Sequence, residues 1–209
     1  SLNHISFRSS GIMQGPYPQA PIVMPKITTL HIGNQVTVKD LNIFRILKLP
    51  ALKNLDLRRV TIESFEGIEH ISPTLRSLEL VRGEFEQFKG HGFQATFPVL
   101  EKMDIQCHDL KNFDLLKGMI APKLEQLKCD FSDLNFDDEN IFQGLIDLQT
   151  PKLSYLPLGI SIDAKNPEKL AALSSTLIKL DRAFKTLKKQ LVQKYPHEWQ
   201  SESSSVQTS

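Results

Sequence analysis

The sequence predicts an α/β solenoid: a curved parallel sheet on one side, short helices or loops on the other, and an α-helix after the last repeat. Three observations predict it. An L-x-x-L-x-L run recurs along most of the chain, a proline precedes each run at a fixed distance, and a 3-4 apolar spacing takes over near the C-terminus. Repetition at 20–50 residues signals units that stack, because no single unit can bury its own apolar face.

The runs start at Ile27, Leu52, Leu75, Leu100, Leu124 and Leu153, separated by 25, 23, 25, 24 and 29 residues. Each start, with its +3 and +5 residues, supplies three apolar side chains: Leu52, Leu55 and Leu57, for example, or Leu124, Leu127 and Cys129. Pro25, Pro50, Pro73, Pro98, Pro122 and Pro151 each lie two positions before a start. A strand tolerates proline at its beginning, where the missing N–H costs the ladder nothing. At +10 stand Ile62, Phe85, Leu110 and Leu134. Between strands lie apolar residues at mixed i, i+3 and i+4 spacing, which predicts short helices on the far side. They are Ile43 to Leu49, Phe65 to Ile71, Phe113 to Ile120 and Ile141 to Leu148.

This pattern resembles the leucine-rich-repeat family, and the resemblance covers nearly all of residues 1–163. It departs from the family in the asparagine or cysteine that follows eight residues after each start, here Gln35, Val60, Gly83, His108, Ser132 and Ser161. No asparagine ladder can form, so the backbone groups at these turns need other partners. The unequal repeat lengths and the P-x-L-x-x-L-x-L opening resemble the irregular repeats of eukaryotic intracellular proteins, including fungal F-box proteins that recruit substrates to ubiquitin ligases. The resemblance implies an intracellular location, cytoplasm or nucleus, and a substrate-recognition role. No F-box is recognisable in this chain.

Upstream, Leu2, Ile5 and Phe7 repeat the spacing 25 residues before Ile27, with Ile12 at +10. We read a seventh repeat cut near its start; the alternative is a flexible leader with a chance match. Gly11 to Pro25, rich in glycine and proline, is expected to be a loop.

After residue 163 the period changes. Asn166 and Pro167 make a helix start, with Glu168 in the first turn. Leu170, Leu173, Leu177, Leu180, Phe184, Leu187 and Leu191 then follow 3-4 spacing to a stop at Pro196. An amphipathic helix within 164–199 has two readings: a cap over the last repeat, or a coiled coil making a dimer. The positions flanking the seam are Ser174, Asp181, Lys188, Thr176, Ala183 and Gln190, a poor set for interhelical ion pairs. Residues 200–209 are expected to be disordered.

Composition narrows the function. Hydrophobic residues make up 40% and charged residues 23%, enough for a packed core. Lys and Arg number 25 against 24 Asp and Glu, so no strong field steers the chain to nucleic acid or an anionic membrane. No apolar run is long enough to span a bilayer. Two cysteines exclude a disulfide framework; Cys129 occupies an inward position, and Cys107 lies near a strand end. The six histidines have no metal-ligand spacing, and no phosphate loop, nucleophile elbow or zinc-protease motif occurs. We expect no cofactor, no metal and no catalysis.

What remains is the sheet face, where the +2, +4 and +6 residues point outward. The +4 column reads Ser6, His31, Asp56, Glu79, Asp104, Lys128, Pro157. Asp56, Glu79 and Asp104 should form an acidic row, flanked by Arg58, Lys102 and Lys128, with Tyr155 and His31 extending the face. Arg82 with Arg58 and Arg59 makes a small basic patch near the strand ends, too small to argue for nucleic acid. Like charges directly opposite are destabilising, which suits a row used on a basic protein partner. The alternative is that the flanking cations neutralise it, leaving an ordinary solvated face. The function expected is therefore a non-catalytic protein-interaction module, with a scaffold assembling through the C-terminal helix as the alternative.

Overall fold

The computed structural model describes residues 3–8, 11–13, 20–38, 40–83, 92–107, 113–131, 143–148, 150 and 158–160, together with 178, 182, 185–187, 189, 190 and 192–194. The repeat signal becomes a parallel-sheet solenoid. Strands β1 (His4–Arg8), β4 (Thr29–Val38), β6 (Asn54–Ile62), β7 (Ser77–Gly83), β8 (Lys102–Cys107), β9 (Gln126–Phe131) and β10 (Leu158–Ile160) lie side by side in chain order. All pair in parallel, and the pairing register is the repeat spacing itself: Ser6, His31, Asp56, Glu79, Asp104 and Lys128 are successive partners.

The geometry that recurs at each strand entrance explains the spacing. The carbonyl of Asn3 accepts hydrogen bonds from the N–H groups of both Thr28 and Thr29. Thr28, Lys53, Arg76 and Glu101 do the same for the two N–H groups opposite them in the next repeat, so each repeat is seated on the one before. The prolines do more than avoid the ladder. Ile27, Leu52, Leu100 and Leu124 each donate their N–H to the carbonyl of the residue before the proline: Met24, Leu49, Phe97 and Ala121. Proline is thus the second residue of a four-residue turn, where its fixed φ is preset for the reversal. The residue before the proline packs inward, with Leu49, Phe97 and Ala121 buried, and Ser72 and Thr150 buried in the same place in their repeats.

Inside the solenoid, the +0, +3 and +5 side chains stack into one core. Leu52, Leu55, Leu57, Leu75, Leu78, Leu80, Leu100, Ile105, Leu124, Leu127 and Cys129 are all at most 1% exposed. Each such aliphatic side chain contributes roughly 1.5–3 kcal/mol by leaving water. The Cys129 side chain is fully buried. On the far side, an aromatic group closes the core: Phe65 and Phe93 have ring centroids 4.3 Å apart, and Phe93 meets Phe97 edge-on at 5.9 Å.

The expected far-side helices are single turns. α1 (Ile43–Ile46) and α2 (Gln143–Asp147) are α-helical, whereas Ile68–His70 and Asp114–Leu116 are 3₁₀ turns. Three or four apolar residues fit one turn, and neighbouring turns approach too closely for longer helices. A Cβ on Gly67, whose φ is +98°, would stand 2.3 Å from the Leu41 carbonyl oxygen; one on Gly144 would stand 1.8 Å from that of Phe113.

The segment Gly11 to Pro25 corrects the loop expectation in part. β2 (Gly11–Met13) pairs with Val36 to Val38 of β4, and β3 (Ile22–Val23) pairs with β5 (Leu47–Lys48) in a second, two-stranded sheet. The reason is that β4 and β6 run on past +6. After an irregularity between Gly33 and Val36, Val36, Thr37 and Val38 resume pairing with Val60, Thr61 and Ile62. In these two repeats the ladder thus runs past Gln35 and Val60, which stand where the asparagine column would be.

The expected C-terminal helix lies largely outside the described residues, including Leu170, Leu173, Leu177, Leu180, Phe184 and Leu191. Those that are described are in helical conformation. Among them Leu187 is 3% exposed and belongs to the core cluster, and the Lys194 ammonium donates to the carbonyl of Ile146 in α2. Phe85, Leu110, Leu134, Tyr155 and the 200–209 tail also lie outside the described residues.

Candidate binding face

The strands present their +2, +4 and +6 side chains to solvent because the +3 and +5 side chains fill the core. Asp56, Glu79 and Asp104 do stand on adjacent strands in direct register. Each is engaged by a neighbour. Arg58 donates through Nε to both oxygens of Asp56 at 2.8 Å, and through Nη2 to Glu79 Oε2 at 3.1 Å. His31 Nδ1 stands 3.0 Å from Asp56 Oδ2. Asp104 accepts from the Gln106 side-chain amide at 3.1 and 3.2 Å, and from Lys128 Nζ at 3.4 Å. The row of like charges is stable because cations and an amide on the same face are interleaved with it.

The pairs differ in exposure. The side chains of His31 and Asp56 are 17% and 20% exposed, against 52% for Arg58. Gly33 accounts for the inward position of the imidazole, since a Cβ there would come within 2.8 Å of His31 Nε2. Asp56, hydrogen-bonded to Arg58, raises the pKa of that guanidinium above its ordinary value, with Glu79 adding to the effect. The charge on Arg58 is therefore constant at every workable pH. Lys102, expected to flank the row, is exposed at the strand entrance in the +2 column and makes no ion pair among the described residues.

Arg58, Arg59 and Arg82, the small basic patch expected near the strand ends, are exposed, and the way they reach solvent departs from simple alternation. Alternation from Leu57 would put residue 59 inside and residue 60 outside, yet Arg59 is exposed and Val60 is buried. The cause is a bulge: Arg59 has φ of 53°, Arg82 has φ of 54°, and Gln35 at the irregularity in β4 has φ of 62°. A left-handed residue slips the alternation by one and turns two consecutive side chains to solvent. The signal is present in the sequence as a phase slip in L-D-L-R-R-V-T-I, where the apolar positions 55, 57, 60 and 62 are not evenly spaced.

Among the described residues, no group of His, Cys, Asp and Glu could hold a metal ion. No described helix is long and apolar enough to cross a membrane. Comparison of the chain with protein-family models, with curated proteins and with solved structures gave no match.

Proposed function

We propose that the protein is a non-catalytic interaction module of leucine-rich-repeat type, which binds a protein partner across the solvent face of its parallel sheet. One observation carries the reading. The outward side chains of successive repeats stand in strict register and form a single strip whose polar groups are already fixed against each other, notably His31, Asp56, Arg58 and Glu79. Prefixed side chains lose less rotamer freedom on association, so a partner is bound with a smaller ordering cost. By resemblance of the repeat opening, the role is that of a substrate-recognition part of an F-box ubiquitin-ligase subunit working inside the cell.

The C-terminal segment acts in this reading as a cap. Leu187 in the core and Lys194 on the Ile146 carbonyl support it, because a helix committed to a coiled coil would turn its apolar seam to another helix. The second reading, a scaffold that dimerises through this helix, requires that seam to be free.

The test uses a partner recovered by affinity purification on the full chain. Ser77→Arg with Gln126→Arg places bulk in the outward +2 column without touching the core, and Lys123→Glu alters a proline turn away from it. The first should weaken the measured affinity by about tenfold or more, the loss of a central contact, while the second leaves it unchanged. Equal affinities for both variants refute the sheet face as the binding surface.

A further inference from the structure

The sheet face holds two different populations of charge. The carboxylates of Asp56, Glu79 and Asp104 all have partners on the face, and Arg58 and Lys128 are consumed in supplying them. Arg59 and Arg82 are not. Both are exposed, and neither makes an ion pair or side-chain hydrogen bond among the described residues. They occupy neighbouring strands, each one residue past the paired positions Arg58 and Val81, where the register ends. Among the described residues, the uncompensated charge of this part of the face is positive, the opposite of what the acidic row alone suggests.

The backbone adds a second, independent observation. A left-handed φ is the natural place for glycine, and an arginine there carries a steric cost. Two arginines in successive repeats bear that cost while making no contact that would repay it within the fold. Strain held in this way clusters at binding sites.

We propose that Arg59 and Arg82 form the seat for an acidic segment of the protein partner, an extended stretch rich in aspartate or glutamate lying across β6 and β7. The proposal rests on the reading of this sheet face as the binding surface, and specifies the partner's chemistry. Each guanidinium offers a planar fork of donors to a carboxylate, and two forks on adjacent strands engage two carboxylates of one segment. The acidic row opposes such a segment only weakly, because Arg58 and Lys128 offset two of its three negative charges and Gln106 donates to Asp104.

The probe is fluorescein-labelled octaglutamate, with binding to the full chain followed by anisotropy at low salt. Octalysine and a single-stranded RNA of equal charge are the comparisons. The double variant R59G/R82G removes both guanidiniums while giving each position the residue its φ favours, so loss of folding does not confuse the result. K117A/K123A removes the same charge on other parts of the solenoid. The expected result is octaglutamate binding that weakens by about tenfold or more in R59G/R82G, changes little in K117A/K123A, and weakens with salt. The proposal is overturned if the native chain does not bind octaglutamate, or if both double variants lose binding equally. It is also overturned if octalysine binds more tightly or if the RNA binds as well as the peptide. Failure here leaves the steric test with Ser77→Arg and Gln126→Arg unaffected, so the two readings fail separately.

Discussion

Glycine in place of Arg59 or Arg82 should make the protein more stable, a result opposite to glycine's usual effect in a strand. The native φ values of 53° and 54° place both residues in the left-handed region, which costs an L-residue about 1–2 kcal/mol. Glycine escapes that cost but loses about 0.5–1 kcal/mol more chain entropy on folding. The net gain is therefore about 0.5–1 kcal/mol per site, since both side chains are exposed and give up little packing. For a domain of this size that corresponds to a rise in Tm of roughly 1–4 °C per substitution. The sharper comparison is between R59G and R59A, because alanine removes the guanidinium but retains the steric cost. Urea unfolding followed by circular dichroism should rank glycine above alanine at positions 59 and 82. At an ordinary strand position such as Asn54 the order should reverse. Alanine more stable than glycine at both arginine positions would show that the bulge is not left-handed, and the outward column with it would be lost.

Other consequences follow from packing and charge. Leu55→Ala empties a site 1% exposed between two repeats and should cost about 2–5 kcal/mol in urea unfolding, whereas Phe7, 41% exposed, should cost clearly less when cut to alanine. Gly67→Ala meets both a φ of +98° and the Leu41 carbonyl, and should destabilise by about 2 kcal/mol or more in the same assay. Arg58→Ala leaves Asp56 and Glu79 opposed without their shared cation, and should cost about 1 kcal/mol at low salt because the guanidinium is half exposed. High salt should recover part of that loss by screening. The pKa of Arg58 is raised on folding, so its contribution is complete below the ordinary guanidinium range and is lost only as pH rises past it. Unfolding free energies of native and R58A chains should therefore differ by a constant amount between about pH 8 and 10. A chain ending at Asp163 should remain monomeric by light scattering but melt at a lower temperature, having lost Leu187 from the core.

The sheet and its register were legible because they rest on one-dimensional spacing. A stacked fold turns the interval between Leu52 and Leu75, or Leu75 and Leu100, directly into strand partners. The proline column was legible as a mark but not as a mechanism: only the bond from Leu52 N–H to the Leu49 carbonyl shows that Pro50 shapes a turn. The pairing of Gly11 to Met13 was hidden because a three-residue strand has almost no pattern of its own and is held by Val36 to Val38. The far-side turns were short for a reason outside their own sequences, namely the backbone of the preceding repeat against Gly67 and Gly144. The acidic row could be read by column, but not the way Arg58 spans Asp56 and Glu79, which depends on side-chain reach across a strand. Arg59 and Arg82 were legible as a small basic patch with Arg58 near the strand ends, but not their left-handed backbone, which only the uneven step from Leu57 to Val60 hints at.

Site-specific photo-crosslinking tests the binding face most directly. A benzoylphenylalanine at Ser77, in the outward +2 column, is compared in cells with one at Lys123 on a proline turn and one at Arg45 on α1. A discrete adduct with one protein is expected from position 77, reduced in the R59G/R82G background and absent from positions 123 and 45. The same adduct from position 45 or 123 with none from position 77 would place the partner on the other side of the solenoid and contradict the account.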